Sequence, residues 1–519
     1  MTVRPLSRPG FILALALATA FKLWLVHGEE IVGSATQYDA LWYLRSARHW
    51  YWGTPYDWLA FMRPCAYPLW IAGVHWLRLP LRLAIELLQL GGGLVLVLAL
   101  RGCGISRGAC LVAYLLLALH PVGFQQNDYT MSDTFYTALL WYVLGGLLLT
   151  LSQRRWWMAV ATGFAIAVLW HTREEGILLV ALVVLWIALL RNLRLIGTTC
   201  LTGAVLILAV YGVNDHVYRS FARSEMTAPV FDSLYHSLLR IKPAAPKPYA
   251  PITMKTLHRA FEVSPTFARL RAPLDGPLGE AWRVETRRRT GTPNEIGAGW
   301  IVWATRQAAG AEGVFASPKT ARRFFSKAAS EINAACDDGR LPTRFVLEGF
   351  LDPLAQNGGL ARLPASTLRV APRAFAQWSI EPLRDDSGLT NEELSVYNQM
   401  TSRRTDGVTA DSGWAVFVEM LIAHYHWVVM ILLHGLAAFG VVICLRGRHR
   451  LRFEALGLVM LLAGAVFLRA ALLSWLDATA FDATQDRFLF PILPLWSALL
   501  VVLIALGAAA VRHPPAIEK

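Results

Sequence analysis

Apolar residues run in blocks of roughly 17 to 25 through most of this chain, separated by short polar turns, and that is the length a helix needs to cross bilayer hydrocarbon. Lipid offers a bare backbone no hydrogen bonds, so each block is predicted to be helical. About ten spans are readable, near Pro9 to Val26, Leu83 to Leu100, Gly108 to Val122, Thr134 to Leu151, Trp156 to His171, Gly176 to Leu190, Ile196 to Val213, Ala415 to Leu445, Ala455 to Trp475 and Phe488 to Val511. The segment from Pro64 to Leu79 is apolar too, but Pro68, His75 and Pro80 interrupt it, which predicts a surface or half-buried helix leading into the second span.

The pattern changes between Val213 and Trp414, where Pro, Arg and Asp are frequent and no block is long enough to span. The expected organisation is an N-terminal transmembrane module over 1–213, a soluble domain over 214–414 and a C-terminal transmembrane module over 415–519. The middle domain is expected to be mostly helical with long loops. Around Ala321 to Ala335, helical spacing puts Phe324, Phe325, Ala328 and Ile332 on one face, and Asp337-Asp338-Gly339 follows as a stop. The predicted fold class is therefore an all-α integral membrane protein with a mostly helical domain inserted between late helices.

Composition agrees with lipid as the solvent. Of 519 residues 55% are hydrophobic and only 16% are charged, with 20 Trp. The net charge of +13 does not point to nucleic acid, because much of the Lys and Arg lies in short clusters beside apolar blocks. Arg4 and Arg8, Arg101 and Arg107, Arg154 and Arg155, Arg191 and Arg194, Arg446 to Arg452, and Arg512 occupy alternate turns. By the positive-inside rule that side is cytoplasmic, with both termini, and the inserted domain is periplasmic in a bacterial inner (plasma) membrane. The absence of any N-x-S/T sequon and the richness in Ala, Leu and Arg suit a bacterium of high genomic GC content. Leu23 to Val26 extend the first block past Ala18-Thr19-Ala20, so an uncleaved first helix is expected. The six cysteines form no C-x-x-C pair, and Cys65 with Cys336 is the pair that could meet outside.

Candidate chemistry lies in the opposite turns. In the first, Asp39 and Tyr43 share a helical face ahead of Trp50, Tyr51 and Trp52. A carboxylate at the membrane boundary is either functional or simply solvated on an interfacial helix. After His120-Pro121 come Asp128 and Met131-Ser132-Asp133, where Ser132 as cap and Asp133 as a first-turn acid give a purely structural reading. His171 to Gly176 holds Arg173 between apolar blocks with Glu174 and Glu175, so Arg173 either pairs locally or grips a phosphate. Arg487, after Asp477, Asp482 and Asp486, either grips an anion or snorkels. No phosphate-binding loop, G-x-G-x-x-G or H-E-x-x-H occurs, so ATP-driven transport and zinc proteolysis have no support.

These pieces fall in a known order. Tyr38-Asp39 with Tyr43, Arg63-Pro64 with Tyr67-Pro68-Leu69, Thr172-Arg173-x-Glu175-Gly176, and Arg487-Phe488 with Pro491 and Pro494 together resemble the GT-C glycosyltransferase superfamily. The resemblance is strongest to bacterial enzymes similar to protein mannosyltransferases and lipid A aminoarabinose transferases. It implies an inverting transferase that takes a sugar from a polyprenyl-phosphate donor and gives it to a glycan, lipid or protein acceptor outside the cytoplasm. It assigns the general base to Asp39, and the topology makes Arg173 and Arg487 the candidates for the donor phosphate.

Two features depart from that pattern. Many relatives carry paired acids where this chain has Tyr38-Asp39, so a second carboxylate, if required, must come from Asp133, Asp128 or Glu29, and Asp128, Asp133, Tyr43 and Glu175 are the candidates for a second acid or acceptor contact. The large domain lies between membrane helices rather than after the last span. A divalent cation near Asp39 is possible chemistry, but no spacing demands one. Two other functions compete: a transporter or flippase of lipid-linked sugars, which needs polar groups along the spans, and a non-catalytic scaffold for envelope assembly.

Overall fold

The computed structural model describes residues 6–33, 38–346, 358–375, 388–403, 413–446 and 453–512. Arg4, Gln37, Arg448, Arg450 and Arg452 of the sequence reading lie outside the described residues. The N-terminal module is built from α1 (Arg8–Leu25), α2 (Tyr38–Arg48), α3 (Ala66–Trp76), α4 (Leu81–Gly102), α5 (Arg107–Ala118), α6 (Pro121–Gln126), α7 (Ser132–Gln153), α8 (Trp156–Trp170), α9 (Gly176–Leu190) and α10 (Leu193–Tyr218). The inserted segment contributes α11 (Pro229–Arg240), α12 (Met254–Val263), α13 (Pro265–Ala268), α14 (Arg271–Asp275), α15 (Pro277–Thr290), α16 (Ile301–Ala311), α17 (Pro318–Asp337), α18 (Gly359–Phe375) and α19 (Asn391–Thr401). The chain ends with α20 (Gly413–Arg446), α21 (Phe453–Thr479), the short α22 (Asp486–Leu489) and α23 (Leu493–Arg512).

Among the described residues, 7 helices are long and apolar enough to cross a membrane, and α5, α8 and α9 are shorter apolar helices beside them. Together they correspond to the ten spans read from hydropathy, and the all-helical membrane class is as expected. Apolar side chains mark the lipid-facing surface: on α10, Leu201, Val205 and Leu208 are 66%, 55% and 53% exposed. Elsewhere the helices pack backbone to backbone. A Cβ on Gly92 of α4 would come within 2.9 Å of the Ala138 carbonyl of α7, which is why that turn of α4 is glycine-rich.

The last span differs from its expected start. The apolar run from Phe488 breaks at Pro491, and the long helix begins only at Leu493 with Pro494 in its first turn. The Phe488 carbonyl accepts instead from Arg469 of α21, whose Nε donates to it at 3.1 Å. The spans also carry more charge than their hydropathy suggests. Lys22 of α1 and Arg82 and Glu86 of α4 are all buried, with Lys22 3.5 Å and Arg82 2.5 Å from the Glu86 carboxylate, and Arg82 also 2.6 Å from Asp128. Asn127 and Gln89 complete the network at 2.7 Å from each other. Buried charges persist in a low-dielectric interior only when paired in this way.

The inserted segment divides in two. Helices α11 to α17 surround their own apolar core, in which Phe324, Phe325, Ala328 and Ile332 of α17 are all buried, as their spacing predicts. Helices α18 and α19 pack against the membrane helices instead, with Val370, Ala374, Tyr397 and Met400 joining the membrane-side core. Arg369 of α18 sits 2.5 Å from Asp477 of α21, and Arg362 donates to the Ala478 carbonyl at 2.9 Å. Cys65 and Cys336 do not pair: each is free and buried, one in the membrane-side core and the other in the inserted core.

Candidate functional site

Four separate stretches of sequence converge where α2, α7, α9 and α22 begin. Asp39 stands in the first turn of α2, favoured there by the helix dipole. Its carboxylate accepts from Arg63 Nη2 at 2.9 Å, and the same guanidinium reaches Glu174 at 3.4 Å through Nη1. Burial opposes the charge on Arg63, but Asp39 and Glu174 outweigh that cost and raise its pKa, so the guanidinium stays charged. A second arginine repeats the arrangement. Arg173 lies 2.8 Å from Asp133 and 3.2 Å from Glu175, and donates to Ser132 Oγ at 3.2 Å.

Glu175 is held from both sides, because Arg469 of α21 also pairs with it. Burial alone pushes the Glu175 carboxyl up, yet Arg469 and Arg173 together hold it below the usual carboxylate range. The Tyr43 hydroxyl donates to Ser132 Oγ at 3.0 Å, and burial pushes that phenol above its ordinary value. Ser132 therefore does not cap α7. Met131 occupies the cap position and the Ser132 hydroxyl is the hub between Tyr43 and Arg173, because its backbone already lies inside the first turn.

Arg487 is the exception. It stands on α22 with its guanidinium 4.5 Å from the Phe488 ring, its Nε is buried without a hydrogen-bond partner, and no carboxylate among the described residues pairs with it. Burial depresses its pKa, partly opposed by the fields of Asp133 and Asp39, and the nearby Arg173 adds to the depression. Arg487 is thus a half-buried cation whose Nε has a hydrogen bond left to donate.

Of the residues expected from the sequence, Asp39, Tyr43, Asp133, Arg173, Glu175 and Arg487 belong to this neighbourhood. Asp128 belongs to the other network, paired with Arg82, and Glu29 acts on Arg82 as well. Arg63, Glu174, Ser132 and Arg469 carry bonds here that sequence reasoning did not assign. Arg469 had one visible signal, a lone arginine inside the apolar run of α21. Among the described residues no group of three His, Cys, Asp or Glu could hold a metal, and the carboxylates nearest Asp39 are engaged by arginines, so the donor set does not fit a divalent cation.

The inserted domain closes one side of the site through α16. The Trp303 ring stacks on Arg63 with the guanidinium carbon 4.9 Å from the ring centroid. Arg306, fully buried one turn later, donates to the carbonyls of Trp58 at 2.9 Å and Ala60 at 3.2 Å, just ahead of Arg63. Glu225 lies 3.6 Å from Arg306, and its backbone N–H donates to the Phe61 carbonyl at 2.8 Å. Four residues beyond Arg306, Gly310 leaves room for the Trp58 side chain, whose atoms would lie 3.1 Å from an added Cβ.

No family model matches the sequence, and no curated protein matches it. Two solved structures are similar over most of the chain. ArnT from Cupriavidus metallidurans in the apo state is 16% identical with a TM-score of 0.32, covering 96% of this chain and 78% of that one. The same protein bound to undecaprenyl phosphate is 15% identical with a TM-score of 0.33, covering 97% and 78%. At these scores the likeness assigns no chemistry to this chain, and its function is read from its own side chains.

Proposed function

We propose that this chain is an inverting membrane glycosyltransferase, moving a sugar from a polyprenyl-phosphate donor to an acceptor hydroxyl at the outer membrane edge. The observation that carries this reading is the unpartnered guanidinium of Arg487 in a cluster where Arg63, Arg173 and Arg469 already hold carboxylates. A phosphate oxygen supplies the missing charge and accepts from the buried Nε. Arg173 adds a second positive face, its charge partly offset by Asp133 and Glu175.

Asp39 is the base. As the acceptor oxygen attacks the anomeric carbon from the face opposite the phosphate, its proton passes to the Asp39 carboxylate, and the bond to phosphate breaks with its electrons leaving on the phosphate. The leaving dianion is stabilised by Arg487 and Arg173, so no second acid is needed to protonate it. Arg63 orients Asp39 through its 2.9 Å bond, leaving the other carboxylate oxygen for the proton. Inversion at the anomeric carbon follows from the single displacement.

The competing flippase reading gains one observation, the buried Lys22, Arg82, Glu86 and Asp128 network in and beside the spans. Yet those charges satisfy one another, and the cavity beside Glu86 and Gln89 is about 10 Å³, room for no more than a water. Charges already paired with one another offer a passing sugar phosphate no open contact, which favours transfer over transport. Binding of undecaprenyl phosphate to the purified chain tests the phosphate site. Arg487→Gln should weaken it about ten- to a hundredfold, the worth of a charge-assisted hydrogen-bond pair. Unchanged affinity would remove the phosphate from Arg487.

A further inference from the structure

The helices that begin or end at the candidate site have their other ends in two basic turns. Between α7 and α8 stand Arg154 and Arg155, followed by Trp156 and Trp157 at the start of α8, and between α9 and α10 stands Asn192, followed by Arg194 in the first turn of α10. Helices α8 and α10 bring the two turns together by packing closely: a Cβ on Gly163 would lie 2.5 Å from the Thr199 carbonyl. The turns form an open surface pocket of about 470 Å³ lined by Arg154, Arg155, Trp156, Trp157, Asn192 and Arg194. That volume admits a glycerophosphate headgroup.

Its chemistry is one-sided. Arg154, Arg155 and Arg194 are exposed, and none pairs with a carboxylate among the described residues, whereas the arginines at the other end of these helices are almost all paired. Residue Arg155 occupies the cap position of α8 without a side-chain acceptor, so first-turn N–H groups of α8 are open to an outside oxygen. The α10 end is closed, because Asn192 Oδ1 accepts from Leu195 N at 3.2 Å. Trp156 and Trp157 are 70% and 49% exposed at the end of an apolar helix, the depth at which indoles meet lipid headgroups.

We propose that this pocket binds the phosphodiester headgroup of an anionic membrane phospholipid. Three uncompensated guanidinium groups and open helix N–H groups select a phosphate ester. The two indoles at the apolar edge select one attached to a lipid over a free ion. This inference stands apart from the transfer reaction, since it uses neither Asp39 nor Arg487.

The test uses the full-length chain purified in detergent and native mass spectrometry with added phosphatidylglycerol or phosphatidylethanolamine. Wild type should retain phosphatidylglycerol in preference, and the triple variant Arg154→Gln, Arg155→Gln, Arg194→Gln should lose about a hundredfold in apparent affinity. A second triple variant, Arg287→Gln, Arg288→Gln, Arg289→Gln on the inserted domain, should behave as wild type. Should the first triple variant elute as aggregate, Arg194→Gln alone reads the same pocket with about a fivefold loss. Equal retention by wild type and the Arg154/155/194 variants, or no preference between the two lipids, overturns the proposal. Displacement of the lipid by millimolar inorganic phosphate also overturns it, assigning the pocket to a free anion instead.

Discussion

At the scale of single residues the site is an exercise in neutralisation. Asp39 was legible because a carboxylate at a membrane boundary is costly, but its partner was not: Arg63 lies 24 positions away and only the folded α2 and α3 bring the two together. The pairing is bridging, one guanidinium between Asp39 and Glu174, and that geometry belongs to a planar fork rather than to an ammonium. Arg63→Lys should therefore lower transfer about tenfold or more while the protein still reaches the membrane, read as accumulation of the lipid-linked donor against immunoblotted abundance. Full activity of the lysine variant would show that the bridge is dispensable. Ser132 illustrates the opposite error. Its cap-like sequence context hid a hydroxyl committed to Tyr43 and Arg173.

At the scale of elements, hydropathy revealed the ten apolar helices because lipid leaves the backbone no alternative, and it missed the α22 to α23 break because buried protein contacts satisfy that backbone instead. It also missed α16, whose three contact residues Trp303, Arg306 and Gly310 recur at helical spacing but resemble an ordinary amphipathic face. Arg306→Met leaves two carbonyls without their donor and Glu225 without its counter-charge, and should cost about 3 kcal/mol or more of stability together with most transfer activity. Trp303→Leu removes only the ring over Arg63 and should reduce transfer with a stability loss of about 1 kcal/mol or less. Thermal unfolding of both variants alongside donor turnover separates the two effects, and equal stability losses would contradict this division.

The same clamp has a pH signature. Burial raises the Glu225 carboxyl above its ordinary value of 4.5, and Arg306 only partly offsets this. The folded chain then keeps a proton there that the unfolded chain has released. This contribution to stability is full below the unfolded value and is lost as pH rises through the folded one. Unfolding temperature should fall with rising pH just above 4.5, and Glu225→Gln should flatten that slope. A slope unchanged in the variant would assign it to other groups.

For the whole molecule, the two ends of the helix bundle carry opposite logic. At one end charges from the first loop, the α7 start, the α8–α9 turn and α21 are matched in pairs around Arg487, which no carboxylate among the described residues engages. At the other, arginines in the short turns are left open. The alternation of basic turns was readable from sequence, whereas the division of the inserted segment was not. Helices α18 and α19 are amphipathic like their neighbours, and which core they join is decided by pairs such as Arg369 with Asp477, 108 positions apart.

The most direct test of the central claim is mass spectrometry of polyprenyl-phosphate sugars in cells lacking this protein, complemented with wild type or with Asp39→Asn at equal abundance. A lipid-linked monosaccharide should accumulate without the protein, be cleared by wild type and persist with Asp39→Asn. An unchanged lipid pool, or clearance by Asp39→Asn as complete as by wild type, would contradict transfer at this site.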